Sequence, residues 1–81
     1  MYNFLEMVEF LRQKTEIHIP IKVNKKTFAV PGIIICVERK GTCVVWMTDS
    51  VNTATVRFRN VFLHREDCKQ NHNKVKNFKF F

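Results

Sequence analysis

The feature that most constrains the fold is a strict two-residue periodicity that begins near residue 17. Its apolar positions are Ile17, Ile19, Ile21 and Val23. Polar residues or proline occupy the positions between them, which is typical of a strand with one buried face. Pro20 has no backbone N–H to donate, so we expect this strand to lie at a sheet edge or to bend at that residue.

Further strand-like segments follow at close intervals along the chain. They cover residues 27–30, 33–37, 42–48 and 53–59, and a short apolar piece at 61–63 comes last. Pro31-Gly32 breaks the pattern between the first two of these segments. Segment 33–37 is apolar on both faces, as expected of a central strand. Short antiparallel strands of this number usually close into a small barrel, because closure removes exposed edges.

A helix is predicted before the strands. Asn3 can cap it, and Glu6 stands three residues later in the capping-box position. Its apolar residues at helical spacing are Phe4, Leu5, Val8 and Leu11. We therefore predict a mainly β protein with one N-terminal helix and a small five-stranded antiparallel barrel, which together form a domain over residues 1–63. Residues 64–81 form a basic, aromatic C-terminal tail that packs on the barrel, docks into a partner or stacks on bases.

Several local features match a known family of small barrels. Pro20 lies in the first strand, Gly32 within the second, and Glu38 near the hairpin turn, while Phe58-Arg59-Asn60 is an aromatic–basic–polar triplet. Over residues 3–63 the chain resembles the Sm-like family, and the bacterial Hfq branch in particular. The resemblance implies a barrel that assembles into rings and binds single-stranded RNA, with the triplet at the RNA-facing loop. SH3-like and Tudor-like barrels share much of the strand pattern and stand as alternatives.

The charge balance indicates what kind of partner the chain attracts. Fourteen Lys and Arg residues stand against seven Asp and Glu residues, a formal net charge of +7. Residues 1–16 sum to −1, whereas residues 68–81 carry four Lys and no acid. Such a surface attracts polyanions, first nucleic acid, then an acidic protein, then an anionic membrane. The alternative is a charge excess that only keeps the protein in solution.

Basic residues in strands, turns and tail are the candidate contacts to nucleic acid. Arg57 and Arg59 share one strand face with Phe58 between them, and basic grooves with aromatic platforms bind single strands. Lysine and arginine pairs occupy two of the predicted turns, and lysines alternate with Phe in the tail. The full candidate set is Lys25, Lys26, Arg39, Lys40, Arg57, Phe58, Arg59, Asn60, Lys74, Lys76 and Lys79.

Metal and disulfide chemistry have weaker support. His64, Cys68 and His72 are spaced as residues on one helix face, and imidazole and thiolate bind zinc, but no CxxC pair accompanies them. Three cysteines, an odd number, do not suit a disulfide framework. Cys36 and Cys43 flank a predicted turn, and we interpret them as small core residues of a protein in a reducing compartment.

No catalytic arrangement is visible, so we expect a protein that is not an enzyme and needs no cofactor. Only two Gly are present, no phosphate-binding Gly loop exists, and Glu66 and Asp67 are merely adjacent in a polar stretch. Acidic residues interrupt the apolar N-terminus, so no signal peptide is expected. The longest apolar run, 33–37, is too short to cross a bilayer. These features favour a cytoplasmic address.

The sequence thus supports three hypotheses about function. The first is a nucleic-acid-binding small barrel with RNA favoured, because no basic helix suited to a DNA major groove is predicted. The second is a small phage-type inhibitor or antitoxin-like protein that binds an acidic or RNA-binding host or defence protein, with or without RNA. The third is a subunit that self-assembles into a ring or dimer.

Overall fold

The protein is a curled antiparallel sheet preceded by one helix. The computed structural model describes residues 1–70. Its elements are α1 (Phe4–Gln13), β1 (Glu16–Val23), β2 (Lys26–Val37), β3 (Thr42–Met47), β4 (Thr53–Arg57), a 3-10 helix (Phe58–Asn60) and α2 (Arg65–Gln70). The sheet is a meander with the order β1-β2-β3-β4. The prediction of a mainly β chain with an N-terminal helix is confirmed.

The segments predicted as five strands form four, and the apolar piece at 61–63 adds a single backbone bridge. The N–H of His18 donates to the carbonyl of Phe62 at 2.7 Å, and the N–H of Phe62 returns a bond to His18 at 2.9 Å. The neighbouring Leu63 N–H donates to the hydroxyl of Tyr2 at 3.3 Å. The described sheet is therefore a half-barrel of four strands, with residue 62 attached to the outer edge of β1.

Both prolines occupy positions where the sheet needs no N–H. In antiparallel strands the N–H and C=O of one residue point to the same side, and successive residues alternate. Because His18 bonds to Phe62, Pro20 also turns its nitrogen toward that edge of β1. Pro31 lies opposite His18 in the register and turns instead toward β3, where its carbonyl accepts from the N–H of Thr48 at 3.2 Å. Segments 27–30 and 33–37, predicted as two strands, therefore join into the single strand β2.

Gly32 lies in β2 at a position where β3 leaves no room for a side chain. A Cβ built on Gly32 would lie 2.5 Å from Cγ1 of Val45 and 2.9 Å from the carbonyl oxygen of Trp46. No real Cβ tolerates such distances, so a side chain here would force the strands apart.

The core lies on the concave face of the sheet and is completed by α1. It consists of Met7, Ile17, Ile19, Ile21, Ile34, Cys43, Val45, Met47, Ala54, Val56, Phe58 and Val61. The buried face of α1 is centred on Met7, with Phe4 and Leu11 beside it. Positions 4, 7 and 11 share one helix face, whereas the side chain at position 5 points elsewhere. Leu5, predicted on the apolar face, is accordingly 74% exposed.

Helix α2 covers part of the opposite, convex face. Pro20 is fully buried although strand alternation places it on that face, opposite to Ile19 and Ile21. Cys68 of α2 is also fully buried, and α2 lies against β1 and β2. The part of the predicted tail that the structure describes therefore packs on the sheet.

A bulge in β2 corrects the expectation for Cys36. Ile34 pairs with Val45, but Cys36 pairs with Val44, so β2 holds one extra residue at this point. The extra residue shifts the alternation by one position and turns Cys36 to the convex face, where it is exposed. Cys43 remains in the core, as predicted. The prediction of Cys36 as a core residue is wrong. A bulge within an apolar run cannot be recognised from the sequence, because the residues on both faces are apolar.

Candidate nucleic-acid interface

The turn between β2 and β3 presents two cationic side chains at one end of the sheet. The N–H of Glu38 donates to the Thr42 carbonyl at 2.9 Å, and the N–H of Gly41 donates back to Glu38 at 3.2 Å. Gly41 has φ of 98°, a conformation that suits glycine. The turn therefore closes tightly and leaves Arg39 and Lys40 exposed at its tip.

The end of β4 and the 3-10 helix bring two more arginines to the same end. Arg57 is the last residue of β4 and Arg59 lies in the 3-10 helix, so the two do not share one strand face as predicted. The N–H of Phe58 donates to the carbonyl of Gly41 at 3.0 Å, which ties this helix to the β2–β3 turn. Phe58 is buried and anchors the segment in the core, while Arg57 and Arg59 on either side of it are exposed. Burial of the middle residue thus directs both guanidinium groups outward.

These elements surround a shallow groove of about 540 Å³, which we call the basic groove. Its lining consists of Met1, Lys40, Gly41, Thr42, Arg57, Phe58 and Arg59. Three of these seven residues have cationic side chains and none has an acidic one. The groove joins residues that are distant in sequence, so phosphate groups along a strand can meet several cations at once.

The start of α1 borders the basic groove. The guanidinium carbon of Arg39 lies 5.0 Å from the centroid of the Phe4 ring, a cation–π contact that holds Arg39 beside the helix. The nearest acid in sequence, Glu38, accepts a hydrogen bond from the hydroxyl of Thr42 at 2.6 Å. Ion pairs within residues 1–68 join Arg12 to Glu9 and His18 to Glu16. The cations of the groove and Arg39 therefore remain available to an anion.

Two members of the predicted triplet have roles other than base contact. Phe58 is only 7% exposed, so its ring belongs to the core and does not offer a stacking surface. Asn60 is half-buried at the end of the 3-10 helix. The arrangement suits contacts to phosphate through Arg and Lys, with the aromatic ring acting as an internal anchor.

The remaining lysine candidates lie elsewhere. Lys25 lies in the β1–β2 turn and Lys26 begins β2, and because the strands are antiparallel this turn is at the opposite end of the sheet from the basic groove. Lys25 and Lys26 therefore do not form one continuous basic surface with Lys40, Arg57 and Arg59. Lys74, Lys76 and Lys79 lie outside the described residues.

The described residues do not support the predicted zinc site of His64, Cys68 and His72. Cys68 is fully buried, and burial, followed by the charge of Asp67, raises its pKa to about 12. His64 is exposed, and His72 lies outside residues 1–70. Within that part of the chain, no group of three or more His, Cys, Asp or Glu is placed to hold a metal ion.

Sequence reasoning identified the four cations at the basic end but not their convergence. They converge because the N–H of Phe58 bonds to the carbonyl of Gly41. This bond depends on the register of β3 against β4, for which the sequence carries no local signal. The contribution of Met1 and the contact between Arg39 and Phe4 were also missed, because they require the helix start to lie beside a turn that follows 35 residues later.

Among residues 1–70 no helix is long and apolar enough to cross a membrane. No protein-family model, no curated protein and no solved structure matches this chain.

Proposed function

We propose that the protein binds nucleic acid, with single-stranded RNA favoured, and acts by binding rather than by catalysis. The observation that carries the proposal is the basic groove, in which Lys40, Arg57 and Arg59 meet without an acidic neighbour in the lining. Guanidinium and ammonium groups on a concave surface bind phosphate and release counterions from the nucleic acid.

The preference for single-stranded RNA rests on two further arguments. Helix α1 carries Glu6 and Glu9 against Arg12, so it is unsuited to a DNA major groove. The resemblance to Sm-like proteins implies RNA at the loop that contains the triplet Phe58-Arg59-Asn60. The proposal includes closure of the sheet into a five-stranded barrel with residues 61–63 as the last strand, which the bridge between His18 and Phe62 supports. It also includes a reducing, cytoplasmic setting, in keeping with the three unpaired cysteines.

The test is fluorescence anisotropy of the full chain with matched single-stranded RNA, single-stranded DNA and duplex DNA at low and moderate salt. We expect tightest binding to RNA and a steep loss of affinity as salt rises. The double variant Arg57→Ala/Arg59→Ala should weaken RNA binding about tenfold at low salt. Salt-independent binding, or no binding to any of the three, would contradict the proposal.

A matched control separates the groove from net charge. The double variant Lys25→Ala/Lys26→Ala removes the same number of charges from the opposite end of the sheet. We expect it to change RNA affinity by less than about twofold. Equal losses for the two double variants would mean that overall charge, and not the basic groove, drives binding.

A further inference from the structure

The end of the sheet opposite the basic groove holds a second concavity, of about 290 Å³, which we call the apolar mouth. Its lining consists of Ile21, Val23, Phe28, Val30, Met47, Asp49, Ser50 and Asn52. Five of the eight are apolar, and the three polar residues all belong to the β3–β4 turn. A mostly apolar concavity with polar groups on one side is typical of a binding site.

At the apolar mouth the core reaches the surface, and nothing within residues 1–68 covers it. At the floor Ile21 and Met47 are almost fully buried, but Val23 and Phe28 above them are each 50% exposed. Contiguous exposed apolar side chains of this kind mark interaction sites on small soluble domains.

The walls of the apolar mouth are held in place by their own hydrogen bonds. In the β3–β4 turn the N–H of Ser50 donates to Met47 at 3.2 Å, and the N–H of Met47 donates to Asn52 at 3.1 Å. The indole N–H of Trp46 adds a bond to the Ser50 carbonyl at 3.2 Å. A preformed wall lowers the conformational cost of binding.

The charge around the apolar mouth is divided between its two walls. Lys26 is the register partner of Val23 and so shares its face of the sheet, and Lys25 precedes it in the turn. Asp49 is the acid of the opposite wall. A ligand with negative charge on the β1–β2 side and an apolar centre matches this division.

We propose that the apolar mouth binds one large apolar side chain from an acidic segment of a partner protein, with the segment's acids beside Lys25 and Lys26. Protein interfaces place an apolar anchor in a central pocket and polar groups at the rim. A nucleobase fits less well, since its polar edges need several partners and five of the lining residues supply none. This surface is separate from the basic groove and can act whether or not RNA binds there.

The test is an NMR titration of the isotope-labelled full chain with short synthetic peptides. The probes carry one central Leu, Phe or Trp between pairs of Glu, and a central Ala serves as control. We expect saturable shifts at Val23, Phe28 and Met47 with the large side chains, and at least about tenfold weaker binding with Ala. Peptides with Lys in place of Glu should bind several-fold more weakly.

Matched variants locate the site. Val23→Asp should weaken peptide binding about tenfold or more, whereas Leu5→Asp, at an exposed apolar position on α1, should leave it unchanged. Asp49→Asn removes the one acid of the lining and should strengthen binding about twofold. Amide spectra that remain dispersed for Val23→Asp show that it folds, and Lys26→Glu supplies an independent variant, expected to weaken binding about threefold.

Four outcomes would overturn the proposal. The first is the absence of saturable chemical-shift changes with any acidic peptide. The second is saturation of the apolar mouth by adenosine or uridine monophosphate but not by peptide. The other two are shifts at Val23 and Phe28 that depend only on protein concentration, which would identify a second copy as the occupant, and cross-peaks in the free protein between these residues and Phe78, Phe80 or Phe81. None of these results bears on RNA binding at Arg57 and Arg59.

Discussion

The two ends of the curled sheet finish the same core in opposite ways. At one end the start of α1 lies against the β2–β3 turn, Met7 fills the core, and charge collects outside. At the other end the strands β1 and β2 and the β3–β4 turn line the apolar mouth, and Val23 and Phe28 remain half exposed. One end therefore offers charge on a covered core, and the other offers the core itself.

This difference teaches that the sequence position of basic residues is a poor guide to the surface on which they lie. Lys25 and Lys26 looked equivalent to Arg39 and Lys40 in the sequence, because each pair stands in a polar turn. The fold places one pair beside two arginines and the other beside an apolar concavity. The same type of residue thus lies on two different surfaces.

The strongest test of the covered end is removal of its central side chain. Met7→Ala leaves a cavity in a fully buried site, so the free energy of unfolding should fall by about 2–5 kcal/mol. Phe28→Ala at the open end should lower it by less than about 1.5 kcal/mol, because the ring is already half exposed. Chemical denaturation of both variants measures the contrast, and equal losses would show that the two ends are closed alike.

Thiol reactivity compares the two faces of the sheet near the basic groove, where Cys43 is buried and Cys36 is exposed. Burial, followed by the charges of Cys36 and Glu38, raises the pKa of Cys43 to about 12, so almost no thiolate forms at pH 8. Cys36 is exposed on the convex face. We expect iodoacetamide to modify Cys36 at least about a hundredfold faster than Cys43, as followed by mass spectrometry of peptides. Faster modification of Cys43 would contradict the bulge in β2.

A smaller effect is expected from the cap of α1. The Asn3 side chain accepts from the N–H of Glu6 at 2.9 Å, and the Glu6 carboxylate accepts from the N–H of Asn3 at 3.0 Å. Asn3→Ala should cost about 1 kcal/mol of stability. Peptide binding at the apolar mouth should stay the same, and a change there would mean that the two ends are coupled.

The smallest effect concerns the salt dependence of RNA binding. Lys40→Ala should reduce the slope of log affinity against log salt by about one, because one phosphate contact is lost. Lys25→Ala should leave the slope unchanged. Anisotropy over an about fourfold range of salt should then separate the two variants by about fourfold. Identical slopes would remove the distinction between the two turns.

Much of the fold follows from local patterns in the sequence. Asn3 and Glu6 predict the cap of α1, and the alternation of Ile17, Ile19 and Ile21 predicts the buried face of β1. Pro20 predicts an edge strand or a bend, and β1 is an edge of the four-stranded sheet. These features depend on neighbours within a few residues.

Features that depend on pairing between strands were not predictable in the same way. The continuity of β2 through Pro31 depends on which side of β2 its nitrogen faces. The exposure of Cys36 depends on a bulge, and the grouping of Arg57 and Arg59 with Lys40 depends on the β3–β4 register. The basic residues of the candidate site were therefore found from the sequence, but their division between two ends was not.

The hydrogen bond from Leu63 to Tyr2 joins residues that are 61 positions apart and so closes nearly the whole described chain into one loop. Closing so long a loop is slow and becomes favourable only after the hairpins between have formed. The contacts of residues 62 and 63 should therefore form late in folding and open early in the native protein. The contacts of residues 62 and 63 with His18 and Tyr2 can therefore break while the β1–β4 meander stays paired.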